Sequence, residues 1–197
     1  MQIENLILYF VTGNKSKFNE VLKIFHTQKV KVTLQQLNIE TVEIQADNIE
    51  DVALFKLNSV KDKINRSFFI EDSGFFVDTP LKGFPGVFSS YVFKTIGNEG
   101  ILRLIDDFRG SRAHFSAVIA FYFKPLDKIL IFEGGVRGKV SKEMRGTKGF
   151  GFDPIFIPDV IPNKTFSELS SQEKNQISHR GQAIRKLITF LKKISSK

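Results

Sequence analysis

The chain has 197 residues, of which 42% are hydrophobic, and its formal net charge at pH 7 is +8. This length and apolar content are enough to bury a substantial core without disulfide or metal staples. The sequence contains no Cys, which excludes disulfides, thiol nucleophiles and cysteine-ligated zinc and favours an intracellular setting. The basic charge suits a polyanionic partner, either a nucleic acid or a phosphate-rich small molecule.

An apolar run at 6–11 opens the predicted structure and is typical of a strand covered on both faces. No basic segment precedes the run, and it is too short for a signal-peptide core or a membrane span. We therefore expect a cytoplasmic protein with no membrane partner. Apolar residues recur with helical spacing over 15–25, and they alternate over 30–37 as in a strand. Residues 6–37 are predicted to form a β-α-β unit.

The middle of the chain is predicted to add helices and a mostly β region. The predicted elements, in order, are a helix over 49–64, a buried strand over 67–70, a loop-rich segment over 78–90, a helix over 98–108, and strands over 113–123 and 129–138 joined by a turn. Ser170 and Glu173 form a capping-box pattern that predicts a helix start, and Ser178 is a second candidate cap. No repeat or linker is visible, so we expect one domain over 1–197, with two lobes that do not fold independently.

A possible phosphate-binding segment lies between the first strand and the first helix. Its residues are Thr12-Gly13-Asn14-Lys15-Ser16-Lys17. Backbone amides at a helix start, small side chains and two lysines can converge on phosphate oxygens. The segment lacks the Gly-x4-Gly-Lys-Ser/Thr spacing, which argues against a P-loop ATPase. In isolation, such a segment can equally be an ordinary turn whose lysines face solvent.

Two adjacent carboxylates follow a short apolar run in Glu71-Asp72-Ser73-Gly74, which we predict to be a turn at a strand end. Enzymes of the α/β class place chemistry there. Asp72 could bind Mg²⁺ or accept a proton from water. A second metal ligand is predicted at Glu43, with Glu40 and Asp47 as alternatives. An isolated acidic pair would more often cap a turn or pair with a basic side chain.

Aromatic and basic residues in the last third of the chain are candidates for nucleotide contacts. Glycines flank Phe150 and Phe152, and a ring in such a loop can stack on a base. Lys174, His179 and Arg180 share one short stretch, where positive groups could hold a triphosphate and the His179 ring could donate to a base carbonyl. The competing interpretation is that these basic residues are solvated or only satisfy the backbone.

Taken in order, seven motifs closely resemble those of the inosine triphosphate pyrophosphatase family, also called the Ham1-like or non-canonical purine NTP pyrophosphatase family. The motifs are Thr12-Gly13-Asn14-x-x-Lys17, the segment around Glu43, Glu71-Asp72-Ser73-Gly74, Gly83-Phe84-Pro85-Gly86, Gly149-Phe150-Gly151-Phe152-Asp153-Pro154, Glu173-Lys174-Asn175 and Ser178-His179-Arg180. The resemblance extends from residue 6 to about residue 191. It implies an α/β fold with an elongated mixed β-sheet, flanking helices and two lobes around a central cleft.

The resemblance also implies a function, which is Mg²⁺-dependent hydrolysis of ITP, dITP and XTP to the monophosphate and pyrophosphate by a homodimer. By the same resemblance, Thr12 to Lys17 bind phosphate, Glu43 and Asp72 bind the metal, and Asp72 accepts a proton from the attacking water. The further substrate contacts that it implies are Lys56, Ser73, Lys94, Phe150, Gly151, Phe152, Asp153, Lys174, His179 and Arg180, the last two at the 6-keto edge of the purine.

Two other functions remain open at this point. One is a housecleaning pyrophosphatase that acts on other modified nucleotides. The other is a basic module that binds single-stranded nucleic acid through stacked Phe rings. Most of the 21 Phe residues lie in apolar runs and do not alternate with basic residues, so we expect no nucleic-acid partner.

Overall fold

The computed structural model describes residues 6–106 and 110–195. The strands are β1 (Leu6–Val11), β2 (Val32–Leu37), β3 (Phe68–Thr79), β4 (Phe84–Gly86), β5 (Arg112–Phe123), β6 (Lys128–Val140) and β7 (Phe156–Pro158). The helices are α1 (Lys15–Thr27), α2 (Ile49–Asn58), α3 (Ser89–Thr95), α4 (Gly97–Leu104), α5 (Ser171–Ile177) and α6 (His179–Ser195). None of the described helices is both long and apolar enough to cross a membrane.

The seven strands form one sheet in the order β2-β1-β3-β5-β6-β7, and β4 pairs with β3. β1 is parallel to both β2 and β3, whereas β4 on β3 and β7 on β6 are antiparallel. Parallel neighbours require a crossover connection, and α1 supplies it between β1 and β2. The predicted α/β class with a mixed sheet is confirmed, as is the N-terminal β-α-β unit.

β3 differs most from the prediction made from sequence. We expected the strand to end at Ile70 and Glu71-Asp72-Ser73-Gly74 to form a turn, but the strand continues to Thr79. The prediction was wrong because it treated the two carboxylates as a break in a buried strand. Both are instead paired with cations, since Glu71 contacts Lys17 and Asp72 contacts Lys56. Pairing lets a buried strand accommodate charge.

Two predicted helices end earlier than expected. The helix predicted over 49–64 ends at Asn58, where the hydroxyl of Ser59 donates to the carbonyl of Lys56 at 2.7 Å and a short 3₁₀ turn follows at Lys61–Lys63. Such a local side-chain bond competes with helix continuation. The helix predicted over 98–108 corresponds to α4, and Phe108 of that prediction lies outside the described residues.

The capping box predicted near the C-terminus is confirmed. The Ser170 hydroxyl accepts the Glu173 backbone N–H at 3.2 Å, and the Glu173 carboxylate accepts the Ser170 N–H at 2.7 Å. Hydrogen bonds from the Ser170 side chain and backbone to the Glu173 carboxylate hold the pKa of Glu173 below its ordinary value. α5 therefore begins directly after Ser170. α6 begins directly after Ser178, and capping by the Ser178 side chain stays a prediction.

The described residues divide into two compact units, each with its own hydrophobic core. The first unit contains the residues up to 72, 117–134 and those from 180 onward, and in its core the Phe10 and Phe69 rings stack with centroids 4.5 Å apart. The second contains 73–116 and 135–179, with Phe115 and Phe156 packed edge to face at 4.9 Å. That the whole chain folds as one domain stays a prediction.

Candidate functional site

The predicted phosphate-binding segment links β1 to α1 and is held in shape by local hydrogen bonds. The Thr12 hydroxyl accepts the Asn14 N–H at 3.1 Å, and the Asn14 side chain caps α1 by accepting the Lys17 N–H at 3.0 Å. Gln36 on β2 donates to the Thr12 carbonyl at 2.8 Å. Gly13, Asn14, Lys15 and Ser16 are exposed. The segment thus presents the positive N-terminal end of α1 to solvent, as anion binding requires.

The two predicted metal ligands share one cation. The Lys56 ammonium is 2.5 Å from Glu43 Oε1 and 2.9 Å from Asp72 Oδ2. Burial disfavours the charge of Lys56, but the carboxylates of Asp72 and Glu43 outweigh that effect and raise its pKa above the ordinary value. Two carboxylates that converge on one cation form an oxygen-rich arrangement. The choice of Glu43 as the second metal ligand, with Glu40 and Asp47 as alternatives, stays a prediction.

This arrangement fits a hard cation such as Mg²⁺, which binds through one or two carboxylates and keeps several waters. Within the described residues, no cluster of three or more His, Asp or Glu side chains is arranged to hold a metal ion. A metal at Glu43 and Asp72 would therefore need oxygen ligands from water or phosphate. The Glu43 side chain is 63% exposed and the Asp72 side chain 16%, so both are accessible to solvent.

A network of four charged side chains lies beside Asp72 in the first unit. The Glu71 carboxylate contacts the Lys17 ammonium at 2.9 Å and accepts a hydrogen bond from Arg180 Nε at 3.1 Å. Arg180 Nη1 also donates to Glu20 at 2.6 Å. Burial disfavours the guanidinium charge, but Glu71 and Glu20 raise the pKa of Arg180 further above its already high value.

Sequence analysis gave no functional role to Glu71 or Glu20. Their only signals are the position of Glu71 next to Asp72 and the spacing of Glu20 three residues after Lys17 on one helix. Arg180, predicted to contact the base, is 2% exposed and bonded to both acids. Its contact with a base stays a prediction.

In the second unit, two of the predicted substrate contacts, Lys174 and Asp153, form a buried ion pair. Lys174 Nζ lies 2.5 Å from Asp153 Oδ2, and both side chains are almost fully buried. The same carboxylate oxygen accepts the Phe150 N–H at 2.8 Å, which fixes the loop backbone. Lys174 Nζ also lies 4.9 Å from the centre of the Phe150 ring, close enough for a cation–π interaction.

Two other residues predicted to contact the base are packed inside the second unit. Phe152 is 3% exposed, and its ring stacks on Phe75 with centroids 5.0 Å apart. His179 is also 3% exposed, and its ring lies parallel to Phe115 at 4.7 Å. Such packing fixes ring orientation, so these side chains are held in one position.

The remaining predicted substrate contacts are Ser73, Gly151 and Lys94. Ser73 follows Asp72 on β3 and is half-buried. The carbonyl of Gly151 accepts a hydrogen bond from the Asn98 side chain at 3.1 Å, and Gly151 has a positive φ of 63°, which favours glycine. Lys94 is exposed on α3 and, among residues 6–106 and 110–195, joins none of the three charged clusters.

Comparison with known proteins gives the same family as the order of the sequence motifs. Residues 8–190 match the sequence model of the Ham1 family. The chain belongs to the Ham1 family. The dITP/XTP pyrophosphatase of Thermococcus kodakarensis is 47% identical over 185 residues, which cover 94% of this chain and 97% of the relative. The dITP/XTP pyrophosphatase of Pyrococcus horikoshii is 46% identical, with 94% and 96% covered.

Solved structures of Ham1 proteins share the fold of this family member. The Ham1 protein of Staphylococcus aureus has a TM-score of 0.81 at 27% identity, and the HAM1 protein of Coxiella burnetii has 0.82 at 28%. Each alignment covers 95% of this chain and 99% of the solved chain. The α/β fold with a mixed sheet and flanking helices is therefore confirmed across nearly the whole Ham1-family chain.

The buried ion pair of the second unit leads to a stability prediction. Asp153→Asn leaves the Lys174 charge buried without its anion, so we expect a loss of about 3–5 kcal/mol in the free energy of unfolding. Urea titration followed by circular dichroism measures this loss of stability.

The matched control is Asp159→Asn, which breaks the Arg112–Asp159 pair, whose side chains are 50% and 47% exposed. Loss of that solvated pair should cost only about 0–1 kcal/mol. Equal losses in the two variants would contradict the prediction.

Proposed function

We propose that this chain is a nucleoside triphosphate pyrophosphatase that hydrolyses the non-canonical purine nucleotides dITP, XTP and ITP to the monophosphate and pyrophosphate. The observation that carries the proposal is the 47% identity, over nearly the full length of both chains, to a protein named dITP/XTP pyrophosphatase. ITP is added because its base is the same as that of dITP.

In the first unit, we assign the triphosphate to the start of α1. The exposed turn after Thr12 and the two lysines Lys15 and Lys17 are suited to phosphate oxygens because helix starts and ammonium groups attract anions. Ser16 could add a hydroxyl donor from the same exposed turn. These groups would be in place before bond cleavage and would offset the negative charge that develops on the departing pyrophosphate.

Glu43 and Asp72 are the residues that would hold Mg²⁺. When bound, the ion would neutralise phosphate charge and act as a Lewis acid. Asp72 would also accept a proton from the water that attacks the α-phosphorus, which positions the nucleophile and raises its reactivity. Lys56 contacts both carboxylates at 2.5 and 2.9 Å and so keeps them close together.

In the second unit, we assign base recognition to Phe150, Phe152, Lys174 and His179, with Asp153 and Gly151 shaping the loop. The support is their rigidity, because the ion pair and ring packing described above hold each side chain in place. A donor aimed at a 6-keto oxygen would be mismatched by the 6-amino group of adenine. Mismatches at such polar sites can change kcat/KM by about 10⁴-fold. Ser73 and Lys94 stay predicted substrate contacts.

The proposed reaction predicts which nucleotides are hydrolysed. With Mg²⁺ present, kcat/KM for dITP, XTP and ITP should exceed that for ATP by about 10²–10⁴-fold. Pyrophosphate release with chromatographic identification of the nucleotide product measures this. EDTA should abolish turnover, and added Mg²⁺ should restore it.

Two results would contradict the proposal. Preferred hydrolysis of a modified pyrimidine would indicate a pyrophosphatase for other modified nucleotides. No turnover of any nucleotide, together with salt-dependent binding of single-stranded RNA, would indicate the nucleic-acid-binding function.

The assigned role of Asp72 predicts the effect of removing its charge. Asp72→Asn should lower kcat by about 10²–10⁴-fold because the amide cannot accept the proton from water. Asp78→Asn makes the same change at an exposed position on the same strand and should leave kcat unchanged. Circular dichroism would verify the fold of both variants. Full activity of Asp72→Asn would remove Asp72 from the mechanism.

We also propose a cytoplasmic homodimer. The support for dimerisation is a set of exposed apolar side chains on and beside α3, which is an uncommon feature for the surface of a soluble monomer. Its members are Phe84, Phe88, Tyr91, Phe93 and Ile96, which are 40–70% exposed.

Sedimentation should therefore give twice the 22.4 kDa mass of the chain. Tyr91→Asp should yield monomers because it places a charge in the apolar surface, whereas Leu126→Asp, at an exposed apolar residue between β5 and β6, should not. A monomeric native protein would refute dimerisation.

A further inference from the structure

Glu71 occupies the centre of the buried charge network in the first unit. Its side chain is 0% exposed, and its two oxygens contact different cations, Lys17 at 2.9 Å and Arg180 at 3.1 Å. Arg180 is bonded in turn to Glu20 at 2.6 Å. Two carboxylates and two cations make this set neutral, and its members come from α1, β3 and the first turn of α6.

Stability alone is a weak reason for such a network. Desolvation of buried charges offsets much of their mutual attraction, and apolar residues of similar volume often stabilise a protein as well or better. The neighbours of Glu71 are more informative. Lys17 belongs to the proposed phosphate-binding segment, and Asp72, the proposed proton acceptor, is the next residue on β3.

We propose that Glu71 is a positioning residue, whose buried carboxylate fixes the ammonium of Lys17 and, through the strand backbone, the orientation of Asp72. This inference rests on the proposed function, since it assigns to Glu71 the placement of two groups that act in that reaction. Arg180 serves the same purpose by holding Glu71 and Glu20 with its planar fork of donors.

The link between Glu71 and Asp72 follows from strand geometry. Successive side chains on a strand point to opposite faces, so anchoring one residue sets the direction of the next. Glu71 is buried, whereas Asp72 on the opposite face is half-buried and reaches Lys56. A shift of Glu71 would therefore move the Asp72 carboxylate.

The link between Glu71 and Lys17 follows from ammonium chemistry. An ammonium group has three N–H donors, so one carboxylate oxygen fixes its position without exhausting its capacity for phosphate oxygens. A flexible lysine would have to be ordered each time substrate binds, at an entropic cost. The contact at 2.9 Å holds Lys17 in place beforehand.

The test compares Glu71→Gln with the native protein in two measurements. Steady-state kinetics on XTP, dITP and ATP should show kcat lowered by about 10²-fold, the size typical of a misplaced catalytic group. The preference for XTP over ATP should stay the same, because Glu71 acts on the phosphate side. Calorimetric titration with inorganic pyrophosphate and Mg²⁺ should show a Kd raised about tenfold.

The titration separates positioning from folding. A variant that only folds poorly would lower the number of binding sites and leave Kd unchanged, which would overturn the proposal. Glu20→Gln is a milder variant because the Glu20 side chain, which pairs with Arg180, is 13% exposed whereas that of Glu71 is 0% exposed. It should lower kcat in the same direction but less, again with the base preference unchanged.

Glu133→Gln is the matched control, since it makes the same substitution at an exposed position on β6 and should match the native protein. Native kcat and Kd in Glu71→Gln, or a collapse of the XTP preference, would overturn the proposal. A native protein that releases no pyrophosphate from any nucleotide would refute the proposed function instead. In that case the pyrophosphate titration still tests whether Glu71 positions Lys17.

Discussion

The pairing of the β3 carboxylates with lysine and arginine is the interaction on which the rest of the first unit depends. A strand that enters a core with two acidic residues would be unstable unless each charge met a partner. Lys17, Lys56 and Arg180 supply those partners from three different helices. The same contacts tie α1, α2 and α6 to β3, so the groups suited to phosphate chemistry and the packing of the unit arise from one set of ion pairs.

The second unit uses one buried ion pair in a different way. The Lys174–Asp153 pair sits among aromatic rings, where burial would be costly for either charge alone. Asp153 also accepts the Phe150 backbone N–H, so the pair shapes the glycine-rich loop as well as neutralising its own charge. A loop held in this way presents its side chains in one fixed arrangement.

Much of the fold could be predicted from the order and spacing of residues. The β-α-β unit was predictable because its apolar residues follow strand and helix periods, and the capping box at Ser170 was predictable because capping residues act locally. The continuation of β3 through Glu71 was not predictable, since its partners Lys17 and Arg180 lie 54 and 109 residues away along the chain. Periodicity carries no information about such distant pairing.

The sequence by itself determined the family, the α/β class and the set of residues suited to phosphate, metal and base chemistry, because motif order and local periodicity are properties of the chain. Only the tertiary structure decided which of those residues contact one another. It joined Glu43 to Asp72 through Lys56, buried Arg180 against Glu71 and Glu20, and packed His179 on Phe115. The physical reason is that burial and ion pairing depend on distances in space, which the fold sets and the spacing along the chain does not.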